Sequence, residues 1–169
     1  MQNNFSNQIF IITVIGILSL CIESSLLHFM IPASFVPHVQ FLLVIFLAFH
    51  FGDQGSLFAG FILGLIADLF SSGPLGPMAG AHVVLFSIVS ALSSRLFLDS
   101  WFSTGVVCFI GCVIGNTTAL FFGTKFSFSS VIGELPLIFT TSFFSAIIAS
   151  SFFLVLRKLL SVEPYARKS

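Results

Sequence analysis

The chain has 169 residues, of which 57% are apolar and 7% charged, and its formal net charge is zero. Soluble domains carry about 25% charged residues, so this composition excludes an ordinary water-soluble globule. With no basic run before Arg157, the sequence also gives no footing for nucleic acid.

The apolar runs are long and continuous rather than short and alternating, which excludes a β-barrel and predicts an all-α polytopic membrane protein. The first predicted span covers 9–27. No Lys or Arg precedes it and no small-residue cleavage site closes it, so it reads as an uncleaved span, not a signal peptide. Glu23 lies in its last third, and His28, Pro32 and Pro37 mark the loop that follows. Residues 37–70 form an apolar block of 34 residues, about 51 Å as one helix, too long for one crossing. Gly52-Asp53-Gln54-Gly55 breaks it into predicted spans 37–51 and 55–70, with Asp53 placed to cap the second. Spans this short are buried among longer helices, thin the bilayer, or form a re-entrant hairpin; two short crossings is the reading adopted.

The chain is expected to be organised around 60–80, where the third span ends: Gly60-Phe-Ile-Leu-Gly64-Leu-Ile-Ala-Asp68-Leu-Phe-Ser-Ser-Gly73-Pro74-Leu-Gly76-Pro77-Met-Ala-Gly80. Gly60 and Gly64 lie one turn apart and allow another helix to approach closely. Asp68 continues that face, and a carboxylate at this depth needs a partner or a polar cavity. Gly73 and Pro74 then end the helix. The fourth span, 79–98, carries Ser87, Ser90, Ala91 and Ser94 as an expected packing face, and Arg95 and Asp99 close it. Trp101 opens the fifth, 102–122, as an interfacial anchor; Gly111 and Gly115 repeat the close-packing spacing beside Asn116, Thr117 and Thr118. A more polar loop with Lys125 is expected over 123–134. The sixth span, 135–160, then has Pro136 in its first turn and Ser142, Ser145, Ala146, Ala149 and Ser150 on its small face. With both termini cytoplasmic, Arg95, Arg157, Lys158, Arg167 and Lys168 fall inside and only Lys125 outside, which satisfies the positive-inside rule. Glu23, Asp68, His82 and Glu134 then lie towards the outer face.

Each polar residue has a structural and a functional reading. Asp68 could close its helix by accepting from the amides of residues 71–76, meet a partner helix, or take part in proton or ligand chemistry. Glu23 needs a partner from elsewhere, with His82 or Lys125 as candidates. His38 and His82 read as interfacial or bonded to backbone carbonyls, and His50 as interfacial. Cys108 and Cys112 sit one helical turn apart, which would suit two metal ligands, but no further ligand is near; with Cys21 they read as small buried apolar residues. No metal or cofactor site is expected. No Gly-x-Ser-x-Gly, His-Glu-x-x-His or phosphate-cradling loop is present, so no enzyme is expected either.

The combination Gly-Leu-Ile-Ala-Asp68 followed by Pro74-Leu75-Gly76 resembles the rod shape-determining protein MreD family, whose Gly-rich helix ends Gly-Leu-x-x-Asp before a Pro-Leu-Gly turn. Chain length and span number match as well. The resemblance implies a non-enzymatic component of the bacterial inner membrane that associates with an MreC-like protein, an MreB-like filament, and RodA-type and penicillin-binding wall synthases to direct lateral peptidoglycan synthesis. It also implies a fold similar to the six-helix substrate-binding subunits of energy-coupling-factor vitamin transporters. Gly60, Gly64, Asp68, Pro74, Gly76 and Glu23 are the residues expected to form the structural and partner-binding core. The alternative is a small-molecule, vitamin-like binding subunit of a transporter, with a pocket lined by Glu23, Asp68, His82 and Asn116.

Overall fold

The computed structural model describes residues 2–23, 37–71, 74–93, 101–124 and 128–160. These form six helices: α1 (Gln2–Ile22), α2 (Val39–His50), α3 (Gln54–Phe70), α4 (Pro77–Ser93), α5 (Trp101–Gly123) and α6 (Phe128–Leu160). By length and composition, Phe102–Gly123 in α5 and Val131–Leu160 in α6 are long and apolar enough to cross a membrane, while the other apolar helices are shorter.

The helix at the centre is α2, not the 60–80 stretch. Its sequence Val-Gln-Phe-Leu-Leu-Val-Ile-Phe-Leu-Ala-Phe-His offers no polar face, and a helix apolar all round belongs in a core. Every residue from Gln40 to Phe49 is buried, and α2 touches α1, α3, α4, α5 and α6. At 12 residues it is about 18 Å long, and the longer helices enclose it. Small residues on its neighbours receive its side chains. A Cβ on Gly111 would lie 2.6 Å from the Ile45 side chain, and one on Gly115 2.8 Å from the Phe41 ring. The close-packing glycines of α5 therefore serve α2.

The break between α2 and α3 falls where the sequence places it. Gly52 has φ +60°, and its N–H and that of Phe51 both bond to the Leu47 carbonyl, a left-handed C-terminal cap. Asp53 then caps α3, accepting from Gly55 N–H at 3.1 Å, Ser56 N–H at 3.3 Å and the Ser56 hydroxyl.

Three boundaries or faces differ from expectation. Helix α1 begins at Gln2, earlier than the expected span 9–27, of which residues 24–27 lie outside the described residues. Helix α6 begins at Phe128, so part of the expected 123–134 loop is helical and Pro136 lies inside the helix. A proline there forfeits one backbone bond, to the Ile132 carbonyl. Ser87 and Ala91 of α4 are exposed, because that helix packs through Ala81, His82, Leu85, Phe86 and Val89 instead. The small face of α6 does pack: Ser142, Ser145, Ala149 and Ser150 are buried, and α5 and α6 share the most extensive helix pairing. Cys108 and Cys112 are buried as expected, but Cys21 is exposed. Ser94, Arg95, Asp99, Lys125, Arg167 and Lys168 lie outside the described residues.

A cavity at one end of the bundle is lined from the later parts of α1, α3 and α5 and the earlier parts of α2, α4 and α6, by Glu23, His38, Met78, Asn116 and Glu134 among others, so successive helices alternate in direction. At the other end His50 of α2 meets Arg157 of α6.

Candidate functional site

The expected motif residues converge at the α3–α4 junction. Gly60, Gly64 and Asp68 recur every four residues along one face of α3, and each does something different there. At Gly60 the backbone carbonyl is used: it lies 3.0 Å from Nδ1 of His82, which must carry the proton because a carbonyl only accepts. Its missing Cβ matters little, since a Cβ there would meet only Val44 Cγ2 at 3.9 Å. At Gly64 the absence of a side chain is what counts. A Cβ would lie 2.5 Å from Ala79 Cα, 2.8 Å from Ala79 N and 2.9 Å from His82 Nδ1, so α4 rests directly on the α3 backbone.

Asp68 then holds the start of α4. Its Oδ2 accepts from Gly76 N–H at 2.9 Å and Ala79 N–H at 3.1 Å, and its Oδ1 from Met78 N–H at 2.9 Å. The first turn of a helix leaves its amides without internal partners and carries partial positive charge. A carboxylate 2% exposed, lent by the preceding helix, satisfies three amides at and just before that turn. Pro77 opens α4, where its missing N–H is not needed. Gly76 has φ +115°, which its lack of a side chain permits, and its carbonyl accepts from Gly80 N–H at 2.8 Å. Of the expected structural roles for Asp68, closing the turn is the one the geometry realises, and its reach extends past 71–76 into α4. Pro74 sits beside Asp68 on a cavity of about 230 Å³ that Asn116 also lines. Around this held turn the apolar side chains of Leu69, Phe70 and Leu75 are 71%, 53% and 67% exposed.

Glu23 belongs to a neighbouring cluster, and its partner among the described residues is not His82. Its Oε1 lies 3.2 Å from Nδ1 of His38. His82 is committed to Gly60, and Lys125 lies outside the described residues. His38 is therefore not simply satisfied by a backbone carbonyl, and its own backbone N–H donates to Ser145 Oγ at 3.0 Å. His50, expected at an interface, is stacked on Phe46 with ring centroids 4.1 Å apart and accepts at Nε2 from Arg157 Nε–H at 3.2 Å.

Gln40 is the polar residue that sequence reasoning missed. It is 6% exposed, and its amide nitrogen donates to Gly16 O at 2.8 Å and Ser19 Oγ at 2.9 Å, tying α2 to α1. The available signal was a lone amide in an otherwise apolar helix. Glu23, His38, Gln40 and Asn116 line a cavity of about 400 Å³ with Glu134. The pocket anticipated from Glu23, Asp68, His82 and Asn116 is thus divided: Glu23 and Asn116 share this cavity, Asp68 lines the smaller one, and His82 is buried between α3 and α4. Among the described residues no three His, Cys, Asp or Glu side chains gather as metal ligands. No protein-family model matches the chain, and neither a curated protein nor a solved structure matches it.

Proposed function

We propose that this chain is a multi-pass, non-enzymatic protein of the bacterial inner membrane that acts by docking other membrane proteins, in the manner of the MreD family. In this reading it binds an MreC-like partner and, with an MreB-like filament and RodA-type and penicillin-binding wall synthases, helps direct lateral peptidoglycan synthesis and maintain rod shape. The six helices form one bundle of the kind seen in energy-coupling-factor substrate-binding subunits, with both termini cytoplasmic. Two long apolar helices support the membrane reading, as do large apolar side chains exposed on several helices, among them Leu18, Phe58, Phe102, Ile132 and Leu154.

The observation that carries the proposal is the Asp68 junction. The three residue types that carry the resemblance, Gly64, Asp68 and the Pro-Leu-Gly turn, are the ones that seat α4 and hold Leu75 outward beside Leu69 and Phe70. A junction in which Gly76, Met78 and Ala79 N–H groups all bond to one carboxylate presents the apolar surface beside it with little ordering cost on binding.

The test separates the surface from its support. Leu75→Ser changes an exposed side chain and leaves the junction intact; Asp68→Ala removes the junction. Both variants, inserted at wild-type level in a rod-shaped host that depends on this protein, are expected to lose co-purification with the MreC-like partner and to round the cells. Normal morphology and co-purification in both would overturn the reading. In the same system, Asp53→Cys is expected to react with a thiol reagent only from the cytoplasmic side.

A further inference from the structure

We propose that the cavity at the Glu23 end of the bundle is a binding site for a small organic cation: a primary ammonium head on a compact apolar body. The proposal does not rest on the docking surface at the exposed turn between α3 and α4, although Phe70 borders both.

Three observations lead to this chemistry. The first is size. At about 400 Å³ the cavity falls within the roughly 300–1,000 Å³ of small-molecule sites, and most of its wall is apolar, including Leu20, Phe41, Phe70 and Leu137.

The second is a set of unmade hydrogen bonds. Oε2 of Glu23 and Oε1 of Gln40 are buried and have no partner. Gln40 has no freedom to turn its amide over, because its nitrogen already donates to Gly16 O and Ser19 Oγ. Glu23 is likewise held, with its other oxygen on His38. Both orphan atoms accept and neither donates, and a buried acceptor left unmade is costly. Both side chains line the cavity, so a ligand that reaches either acceptor must bring N–H or O–H groups.

The third is charge. Glu23 and Glu134 both line the cavity, and no Lys or Arg does so among the described residues. His38 is the one basic group on the wall, and it faces the Glu23 carboxylate. A carboxylate or phosphate would meet like charge and no donor beyond the imidazole. An alcohol would supply one donor, whereas a primary ammonium supplies three and a positive charge.

The test uses the full chain in phosphatidylcholine nanodiscs, whose headgroup ammonium carries no N–H, and three probes of one shape: benzylammonium, benzyl alcohol and benzoate. Calorimetric titration is expected to show saturable one-site binding of benzylammonium, at least about tenfold tighter than benzyl alcohol, with no binding of benzoate. Glu23→Gln and Gln40→Leu are each expected to weaken benzylammonium by about tenfold, while Ser150→Ala, on the opposite half of α6, leaves it unchanged. Because the cavity variants could disturb folding, the wild-type comparison of the three probes decides by itself. Equal affinity for all three, preference for benzoate, or no saturable binding would overturn the proposal, as would undiminished benzylammonium affinity in a folded Glu23→Gln protein. Repeating the titration with phosphatidylethanolamine in the disc identifies the natural source of the head. Competition assigns it to lipid, and unchanged affinity to a free amine; both support the ammonium site.

Discussion

Replacing Gly64 by alanine adds one methyl group at the point where α3 and α4 touch backbone to backbone. The new Cβ would stand 2.5 Å from Ala79 Cα, where ordinary contact begins at 3.4 Å, so the start of α4 must move by about 0.9 Å. Nothing flexible can absorb this, since two of the three nearest atoms are backbone. The same displacement, directed away from α3, lengthens the 3.1 Å bond from Ala79 N–H to Asp68 beyond hydrogen-bonding range. Overpacking costs about 1–3 kcal/mol and one charge-assisted bond about 1.5–3, against about 1 kcal/mol gained by replacing glycine within a helix. The expected net loss is about 1.5–5 kcal/mol. Gly60→Ala is the internal control: it sits one turn earlier on the same face, its Cβ meets Val44 at 3.9 Å, and its carbonyl bond to His82 survives. That variant is expected to be neutral or stabilised by up to about 1 kcal/mol. Equilibrium unfolding in mixed micelles, with thermal midpoints as a second readout, measures the difference. Equal stabilities for Gly60→Ala and Gly64→Ala would refute this account of the α3–α4 contact.

Asp68→Ala leaves three amides without their acceptor and is expected to cost about 3 kcal/mol or more, whereas Asp68→Asn, which retains one acceptor oxygen, should cost about half as much in the same unfolding assay. Gly76→Ala meets no atom within 4 Å, so any loss there reports the φ of +115° alone; about 1–2 kcal/mol is expected, and a neutral result would show that the turn adapts. Asp53→Ala removes the cap of α3 and is expected to lower stability by about 0.5–2 kcal/mol, seen also as faster amide exchange over residues 54–57. Gln40→Leu is nearly isosteric, but it removes the donor to the Ser19 hydroxyl oxygen and one of the two side-chain donors to the Gly16 carbonyl, which the Ser19 hydroxyl still serves; about 1–2 kcal/mol of destabilisation is expected, with exchange accelerated in α1 more than in α6.

Local chemistry made part of this fold legible. Gly52 and Asp53 announce a helix end and a helix start within two residues, and the structure puts both there. Gly64 and Asp68 announce a close approach and a buried acceptor, and both meet α4. What the sequence could not reveal is which of several apolar segments the others would surround. The run from 39 to 50 differs from its neighbours by having no face to offer lipid or water, yet its shortness invites a re-entrant or membrane-thinning reading just as well. Partner choice was hidden for a related reason. His38 and His82 are equally available to Glu23 in one dimension; only the packing of α4 on α3, which commits His82 to the Gly60 carbonyl, leaves His38 as the partner. Pro136 misled because a proline reads as a helix start, although a long helix with alternative packing tolerates the loss of one bond.

The distribution of polar groups separates two demands on the bundle. At one end His50 is bonded through one ring nitrogen to the Phe46 carbonyl and through the other to Arg157. At the Asp68 end one carboxylate is fully used: its three bonds complete the start of α4 and leave no acceptor oxygen unpaired. A few residues away, Glu23 and Gln40 each keep one acceptor in reserve beside a cavity. Packing alone accounts for the Gln40 amide nitrogen, which ties α2 to α1, but not for the Glu23 oxygen left buried without a partner, since an acceptor left unmade costs stability. The Asp68 junction needs no function beyond rigidity to account for its carboxylate. The Glu23–Gln40 wall keeps two acceptors unpaired, and that difference is what the proposed ammonium site rests on.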